Sequence, residues 1–252
     1  MNITESPNDK LSISTSKFNL DKRLDSDKDP LPEPLANQSF IWALVAKPRS
    51  GKTTYLMSLL TKKKVKGIRQ SYRGLFKNII FVSPTIASLG DNKEINKLKY
   101  KYDSITLDVL DEIEEISREN KEDGEQTCVV FDDVSSEFKK NKPIIDKLSK
   151  VCKNHRHIGL SIFILSQKFT DLPTGMRNCL SHITLMNCDN MYERDSIFSE
   201  LPIAKKNYDE LYEYIFHNKN DENTRYNSML LDMSRTKKNH ILVYKNFNLL
   251  DF

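Results

Sequence analysis

Apolar residues in this chain gather into short unbroken runs separated by stretches with helical spacing. The runs are "FIWALVA" (Phe40–Ala46), "NIIFVS" (Asn78–Ser83), "TCVVFDDV" (Thr127–Val134), "SIFILSQ" (Ser161–Gln167) and "SHITLMN" (Ser181–Asn187). They lack the alternation of a half-exposed strand and predict parallel strands buried on both faces. Between them, Thr53–Leu60 reads as a helix leaving the first strand, and Val109, Ile113 and Ile116 set an apolar helical stripe. Ile144, Leu148 and Val151 set another behind Pro143, a residue favoured in a first helical turn. Strands alternating with helices predict an α/β fold with a mostly parallel central sheet covered by helices on both faces. Residues 1–36 are polar and mixed in charge, end in "DPLPEPLANQ" and show neither period. They are expected to form a mostly disordered tail, leaving 37–252 as one folded domain.

Composition narrows this picture only slightly. A chain of 252 residues buries a sizeable core, and no apolar run approaches the roughly 20 residues that cross a bilayer. The opening "MNITESPNDK" lacks the basic and apolar regions of a signal peptide, so the chain is expected to stay inside a cell with its four cysteines reduced. Cys152-x-x-His155 and Cys179-x-x-His182 have ligand-like spacing for zinc. Between them, however, "LSIFILSQ" reads as a buried strand, and Cys152 continues the Ile144–Leu148–Val151 stripe, which favours buried thiols. The net charge of +4 permits a polyanionic partner without requiring one. Its distribution says more: Lys62, Lys63, Lys64, Lys66, Arg69, Arg73 and Lys77 form a run with no acidic neighbour, whereas Asp103–Gln126 is crowded with carboxylates and reads as a solvated face.

The chemistry concentrates in "AKPRSGKTT". A phosphate-binding loop asks for Gly, four residues, then Gly-Lys-Ser/Thr; here the eight positions are Ala46, Lys47, Pro48, Arg49, Ser50, Gly51, Lys52 and Thr53, followed by Thr54. Only the first glycine is replaced, by the next smallest residue. Gly51 leaves room for backbone amides to close around phosphate, Lys52 reaches the terminal phosphates, and Thr53 offers its hydroxyl to Mg2+. The helix that follows directs its positive end at the anion. The loop also sits between a buried strand and an amphipathic helix, as the pattern demands. "CVVFDDV" ends a second buried strand in Asp132, placed to hold magnesium, and Asp133, placed to polarise an attacking water. "FILSQ" ends a third in Gln167, which would sense the phosphate or orient the water if its strand neighbours that of Asp132.

With these elements in this order, joined by "NIIFVSPT", "HRHIGLSIFILSQ" and "DLPTGMRNCLSH", the chain resembles the FtsK-HerA superfamily of P-loop ATPases, and within it the genome-packaging ATPases of large double-stranded DNA viruses and their virophage relatives. The resemblance runs from about Ser39 to the end. It implies a RecA-like core that assembles into a homo-oligomeric ring, hydrolyses ATP, threads duplex DNA into a capsid at a portal or vertex, and works in the virion or host cytoplasm. It also implies an arginine finger reaching a neighbour's nucleotide, with Arg156 in "NHRHIGL" and Arg177 in "LPTGMRN" as candidates. Asp133 stands where many members carry Glu, shortening the reach by one methylene. For a translocating ring, Lys139, Lys140 and Lys142, directly after the Asp132–Asp133 strand, with Lys147 and Lys150 on the next helix, are the expected contacts to DNA phosphate; the Lys62–Lys77 run is then an electrostatic aid or a solvated face.

Rival readings are a GTPase, a small-molecule kinase and a nucleotide-binding ring subunit without turnover. Asn218-Lys219-x-Asp221 matches a guanine-recognition pattern, but "LYEYIF" before it reads as an amphipathic helix and no Asp-x-x-Gly follows Asp132. A kinase would use late arginines such as Arg225 and Arg235, yet the paired aspartates and Gln167 fit hydrolysis better. Intact Lys52, Thr53, Asp132 and Asp133 argue against a silent subunit.

Overall fold

A computed structural model describes residues 22–89, 92–138, 141–186, 190–218, 224–237 and 240–252. In chain order the elements are β1 (Ile41–Val45), α1 (Lys52–Thr61), β2 (Asn78–Val82), α2 (Lys93–Asn96), β3 (Tyr100–Tyr102), α3 (Leu107–Glu122), β4 (Thr127–Asp132), α4 (Ser135–Phe138) and α5 (Lys142–Asn154). They continue with β5 (Leu160–Ser166), α6 (Thr174–Arg177), β6 (His182–Met186), α7 (Met191–Phe198), α8 (Lys205–Phe216), β7 (Ser228–Lys237), β8 (His240–Lys245) and β9 (Asn248–Leu250). Among the described residues these strands make one sheet in the order β3-β2-β4-β5-β1-β6-β7-β8-β9. The five strands expected from apolar runs, together with β3, are parallel. The last three form an antiparallel extension that the apolar pattern did not announce.

The central strand shows why the runs are unbroken. Ile41, Ala43 and Val45 face a core shared with α3 and α5, while Phe40, Trp42 and Leu44 face a second core beneath α1. All five residues of β1 are buried because helices cover both faces. On the first side, Leu110, Ile113 and Ile116 of α3 meet Ile144, Leu148, Val151 and Cys152 of α5. The helices start where the local chemistry allows. Thr106 accepts a hydrogen bond from the Val109 N–H, and Asn141 accepts one from Ile144 with Pro143 in the first turn. On the other side, Leu56, Leu59 and Leu60 of α1 pack over Phe81, Cys128, Val130, Phe163 and Leu165. None of the described helices is long and apolar enough to cross a membrane.

The expected tail differs from the structure in its second half. Residues 22–36 form a strap over the α1 side, with Leu24, Leu31, Leu35 and Ala36 buried in that core. Polar ties fix it: Asp25 accepts a 2.7 Å hydrogen bond from the Leu31 N–H, Asp29 pairs with Arg69 and Lys64, and Glu33 pairs with Arg235 at 2.8 Å. Packing therefore begins by about residue 24 rather than at 37. Four apolar residues at irregular spacing are enough because the strap has no element period to obey. Leu24→Ala should destabilise the protein by about 2–4 kcal/mol in denaturant unfolding; a loss below about 0.5 kcal/mol would show that the strap contributes no packing.

Candidate functional site

β1, β4 and β5 are parallel neighbours, and their carboxyl ends bring the expected site residues together. Ala46 extends β1 by donating its N–H to the Ser166 carbonyl at 3.1 Å. It is not among the residues at positive φ, so this first loop position accommodates alanine without backbone strain. The loop then turns through Arg49 at φ 61° and Gly51 at φ 92°, and Ser50 Oγ ties it internally to the Lys47 carbonyl at 2.7 Å. A Cβ on Gly51 would meet nothing within 4 Å, so in this loop glycine is required by its left-handed backbone. α1 begins immediately after, at Lys52, and carries Thr53 and Thr54 in its first turn.

Lys52 folds back into the loop. Its Nζ donates to the carbonyls of Ala46 at 2.7 Å and Lys47 at 3.2 Å, and the residue is buried. Burial lowers its pKa, opposed by the charges of Asp133 and Asp132. Asp132 closes β4 and is itself buried. Desolvation, together with the neighbouring Asp133, pushes its carboxyl from 3.8 up to about 6, against the pull of Lys52 and a 3.4 Å hydrogen bond from Ser83 Oγ. Asp133 lies at φ 52°, a left-handed conformation that Asp tolerates better than most residues and that turns the chain out of the sheet while its N–H still reaches the Leu165 carbonyl at 3.1 Å. Gln167, just beyond β5, donates to Asp133 Oδ2 at 3.4 Å, which is the adjacency its placement required.

Asp133 Oδ1 is buried without a hydrogen-bond partner, beside a second carboxylate that is costly to ionise. That oxygen lacks a partner that a bound water would supply, and the buried Asp132 carboxylate beside it fits a hard cation. Among the described residues no group of three or more His, Cys, Asp or Glu is arranged to hold a metal, so magnesium here would take its remaining oxygens from Thr53, ligand phosphate and water. Ser83 was missed in the sequence although it ends the β2 run as Gln167 ends the β5 run, and a polar residue closing a buried strand was the available signal. Cys128 and Cys152 are buried free thiols and Cys179 a partly buried one; Cys188 lies outside the described residues.

Remaining candidates are distributed unevenly. Arg156 is exposed in the 3-10 turn His155–Ile158 that enters β5, at the opposite end of that strand from Gln167. Seven residues of β5 separate the two ends by about 20 Å. Arg177 pairs with Glu200 at 2.7 Å, lies over the Phe169 ring at 5.3 Å and bonds Thr174 at 3.1 Å, so its charge is engaged within the chain. Lys147 is half-buried and pairs with Asp111 and Glu114 of α3, so its charge is engaged within the chain. Lys142 and Lys150 are exposed on α5, and Lys139 and Lys140 lie outside the described residues. Lys219 and Asp221 of the guanine-type pattern also lie outside them.

A cavity of about 910 Å³ adjoins the phosphate loop on the side away from β4. The Lys47–Gly51 loop and α1 form its floor, the Pro32–Leu35 part of the strap forms one wall, and Met186, Tyr226 and Phe247 line the other.

Comparison with known proteins places this geometry. The family described as Poxvirus A32 protein matches residues 31–232. No curated protein matches the chain. Among solved structures, the genome packaging NTPase B204 of Sulfolobus turreted icosahedral virus 2, in complex with ATP-gammaS, superposes with a TM-score of 0.53 at 16% identity, covering 82% of this chain and 96% of that one. B204 of Sulfolobus turreted icosahedral virus, a DNA-packaging ATPase, superposes with a TM-score of 0.53 at 14% identity over 81% of this chain and 96% of that one. At such identities the likeness is one of fold.

The burial of Asp132 has a measurable consequence without any ligand. Its folded-state pKa of about 6 lies above the ordinary 3.8, so between those values the folded protein keeps a proton that the unfolded chain releases, and stability falls as pH rises. Asp132→Asn should therefore stabilise the ligand-free protein near pH 8, by up to roughly 3 kcal/mol, with the gain fading through about pH 6 and absent below about pH 4. A pH-independent effect, or destabilisation near pH 8, would contradict this electrostatic picture.

Proposed function

Because the chain belongs to the family of the poxvirus A32 protein, we infer that it is a viral genome-packaging ATPase, a motor that hydrolyses ATP to drive double-stranded DNA into a preformed capsid. The observation that carries this reading is the convergence of Lys52, Asp132, Asp133 and Gln167 at the ends of three adjacent parallel strands, behind a loop whose backbone is already turned for phosphate. The fold shared with B204, whose structures hold ATP-gammaS in one case, is consistent with it.

In this reading the amides of Lys47–Thr54 cradle the phosphates and the N-terminus of α1 faces their charge. Lys52 exchanges its loop carbonyls for the terminal phosphates, which are better acceptors for an ammonium whose burial is otherwise costly. Thr53 and Asp132 would hold magnesium, which when bound neutralises charge on the phosphate oxygens. Asp133 accepts a proton from the water as the new P–O bond forms and the bond to the ADP oxygen breaks, while Gln167, held against Asp133, orients that water. Arg156, at the far end of β5, serves a neighbour's nucleotide in a homo-oligomeric ring. Its distance from its own loop leaves no role in cis, and Arg177 is already neutralised by Glu200. Lys139, Lys140, Lys142 and Lys150 are assigned to the DNA backbone, and the ring to a capsid portal or vertex, in the virion or host cytoplasm.

Two sets of variants test this. Lys52→Ala should lower phosphate release at least about a hundredfold, and Asp133→Asn should bind ATP but not turn it over, the pattern of a lost water-activating group. Mixing Arg156→Ala chains with Lys52→Ala chains should restore part of the activity, since some interfaces then carry both elements intact. Mixed rings as inactive as either parent, with assembly confirmed by light scattering, would count against a composite site, and normal turnover in Asp133→Asn would move the base elsewhere.

A further inference from the structure

Glu193, in the first turn of α7, is a carboxylate only 6% exposed. An ionised group is not buried without partners, and those of Glu193 lie on one short turn. Its Oε2 accepts from the Phe169 N–H at 2.8 Å and the Thr170 N–H at 3.4 Å, and its Oε1 accepts from the Thr170 hydroxyl at 2.6 Å. These amides open the 3-10 turn Phe169–Asp171 behind β5, whose own cap residue, Lys168, contributes no side-chain bond to them. A Ser or Asp in place of Lys168 would satisfy the same amides locally. A carboxylate 24 residues along the chain from Phe169 satisfies them and also ties the turn to α7. That helix is firmly seated: Ile197, one turn on from Glu193, is fully buried in the core, and Arg194 lies over the Tyr212 ring of α8 at 3.8 Å and pairs with Asp209 at 3.5 Å.

The turn so held begins two residues after Gln167. On the other side of Gln167, Ser166 is fixed in β5 by its carbonyl, which accepts from the Ala46 N–H at 3.1 Å, and its Oγ donates to the Lys168 carbonyl at 2.8 Å. Gln167 and Lys168 are therefore the two residues between an anchor in the sheet and an anchor on α7. The Gln167 side chain reaches Asp133 Oδ2 at 3.4 Å, near the limit of a hydrogen bond. A contact that long is sensitive to small shifts of the backbone that carries it. We propose that Glu193 is a positioning residue for Gln167: by fixing the Phe169–Asp171 turn to α7, it sets where the Gln167 amide stands relative to Asp133 and the attacking water. The proposal rests on the ATPase reading above and adds to it a residue that touches neither nucleotide nor water. Geometry rather than charge makes the attachment. A glutamine at this position offers its carbonyl to the Phe169 N–H and its amide to the Thr170 hydroxyl, which turns round to accept.

A double-mutant cycle on steady-state phosphate release from the assembled protein tests this. Glu193→Ala should lower kcat by about tenfold to a hundredfold, no further than Gln167→Ala does, in keeping with what a misplacement of about 1 Å costs. KM for ATP, set by the phosphate loop, should stay within about twofold. In a Gln167→Ala background the same change should cost less than about twofold more, because the group it positions is already gone. Glu193→Gln should recover most of kcat. Thr170→Val, at an exposed position, removes only the 2.6 Å hydrogen bond and runs the same cycle with a smaller effect, which decides the question if Glu193→Ala does not fold. Unchanged kcat, equal losses in both backgrounds, a loss carried by KM, or a Glu193→Gln chain as slow as Glu193→Ala would each overturn the positioning role while leaving the ATPase standing. A parent that hydrolyses no ATP would remove the ATPase reading, and the proposal with it.

Discussion

Everything in this molecule is arranged around a central strand that cannot carry charge. β1 bonds to β5 along one edge and β6 along the other, and its side chains are covered on both faces. A strand in that position has no place for an ionised group along its length, since an unpaired buried charge costs far more than packing returns. Its chemistry is therefore displaced to its carboxyl end, where the backbone leaves the sheet. The same rule applied to β4 and β5 puts Asp132, Asp133 and Gln167 beside the loop that follows β1.

That concentration is electrostatically expensive. Lys52 is held in a form that favours losing its proton and Asp132 in a form that favours keeping one, both through burial, and each lessens the other's cost. Lys52 rests on two loop carbonyls, a weaker set of partners than phosphate oxygens, and Asp133 has a buried oxygen with no hydrogen bond. A site left under-satisfied in this way is poised for a phosphate-bearing ligand, because binding supplies the missing partners for several groups at once. Positive backbone φ occurs around the site, at Arg49 in the loop, at Asp133 after β4 and at Phe247 beside the cavity that adjoins the loop.

How much of this was legible beforehand depends on the range of the interaction. The parallel strands were readable because double burial leaves an unbroken apolar run, and Gly51-Lys52-Thr53 and Asp132-Asp133 were readable because each is a local pattern at the end of such a run. The antiparallel strands β7–β9 were not: β7 reads "SMLLDMSRTK", half apolar and half polar, and its partner is settled by pairing with β6 rather than by its own period. The strap escaped because its buried residues follow the contours of α1 instead of a repeat. Lys147 looked solvent-facing on helical spacing, yet the acids that claim it lie on α3, more than thirty residues away. Arg177 was the second candidate for a finger, and its pairing with Glu200, 23 residues on, is a long-range contact that local sequence does not announce.

The central claim is that the site couples ATP hydrolysis to duplex DNA in an assembled ring. Steady-state phosphate release from the assembled protein, with and without long duplex DNA and across a salt series, tests it most directly. The account predicts that DNA raises turnover, shifts the protein toward the ring, and loses its effect as salt screens the lysine–phosphate contacts. An assembled protein that hydrolyses no ATP, or whose turnover is indifferent to DNA at every salt concentration, would contradict it.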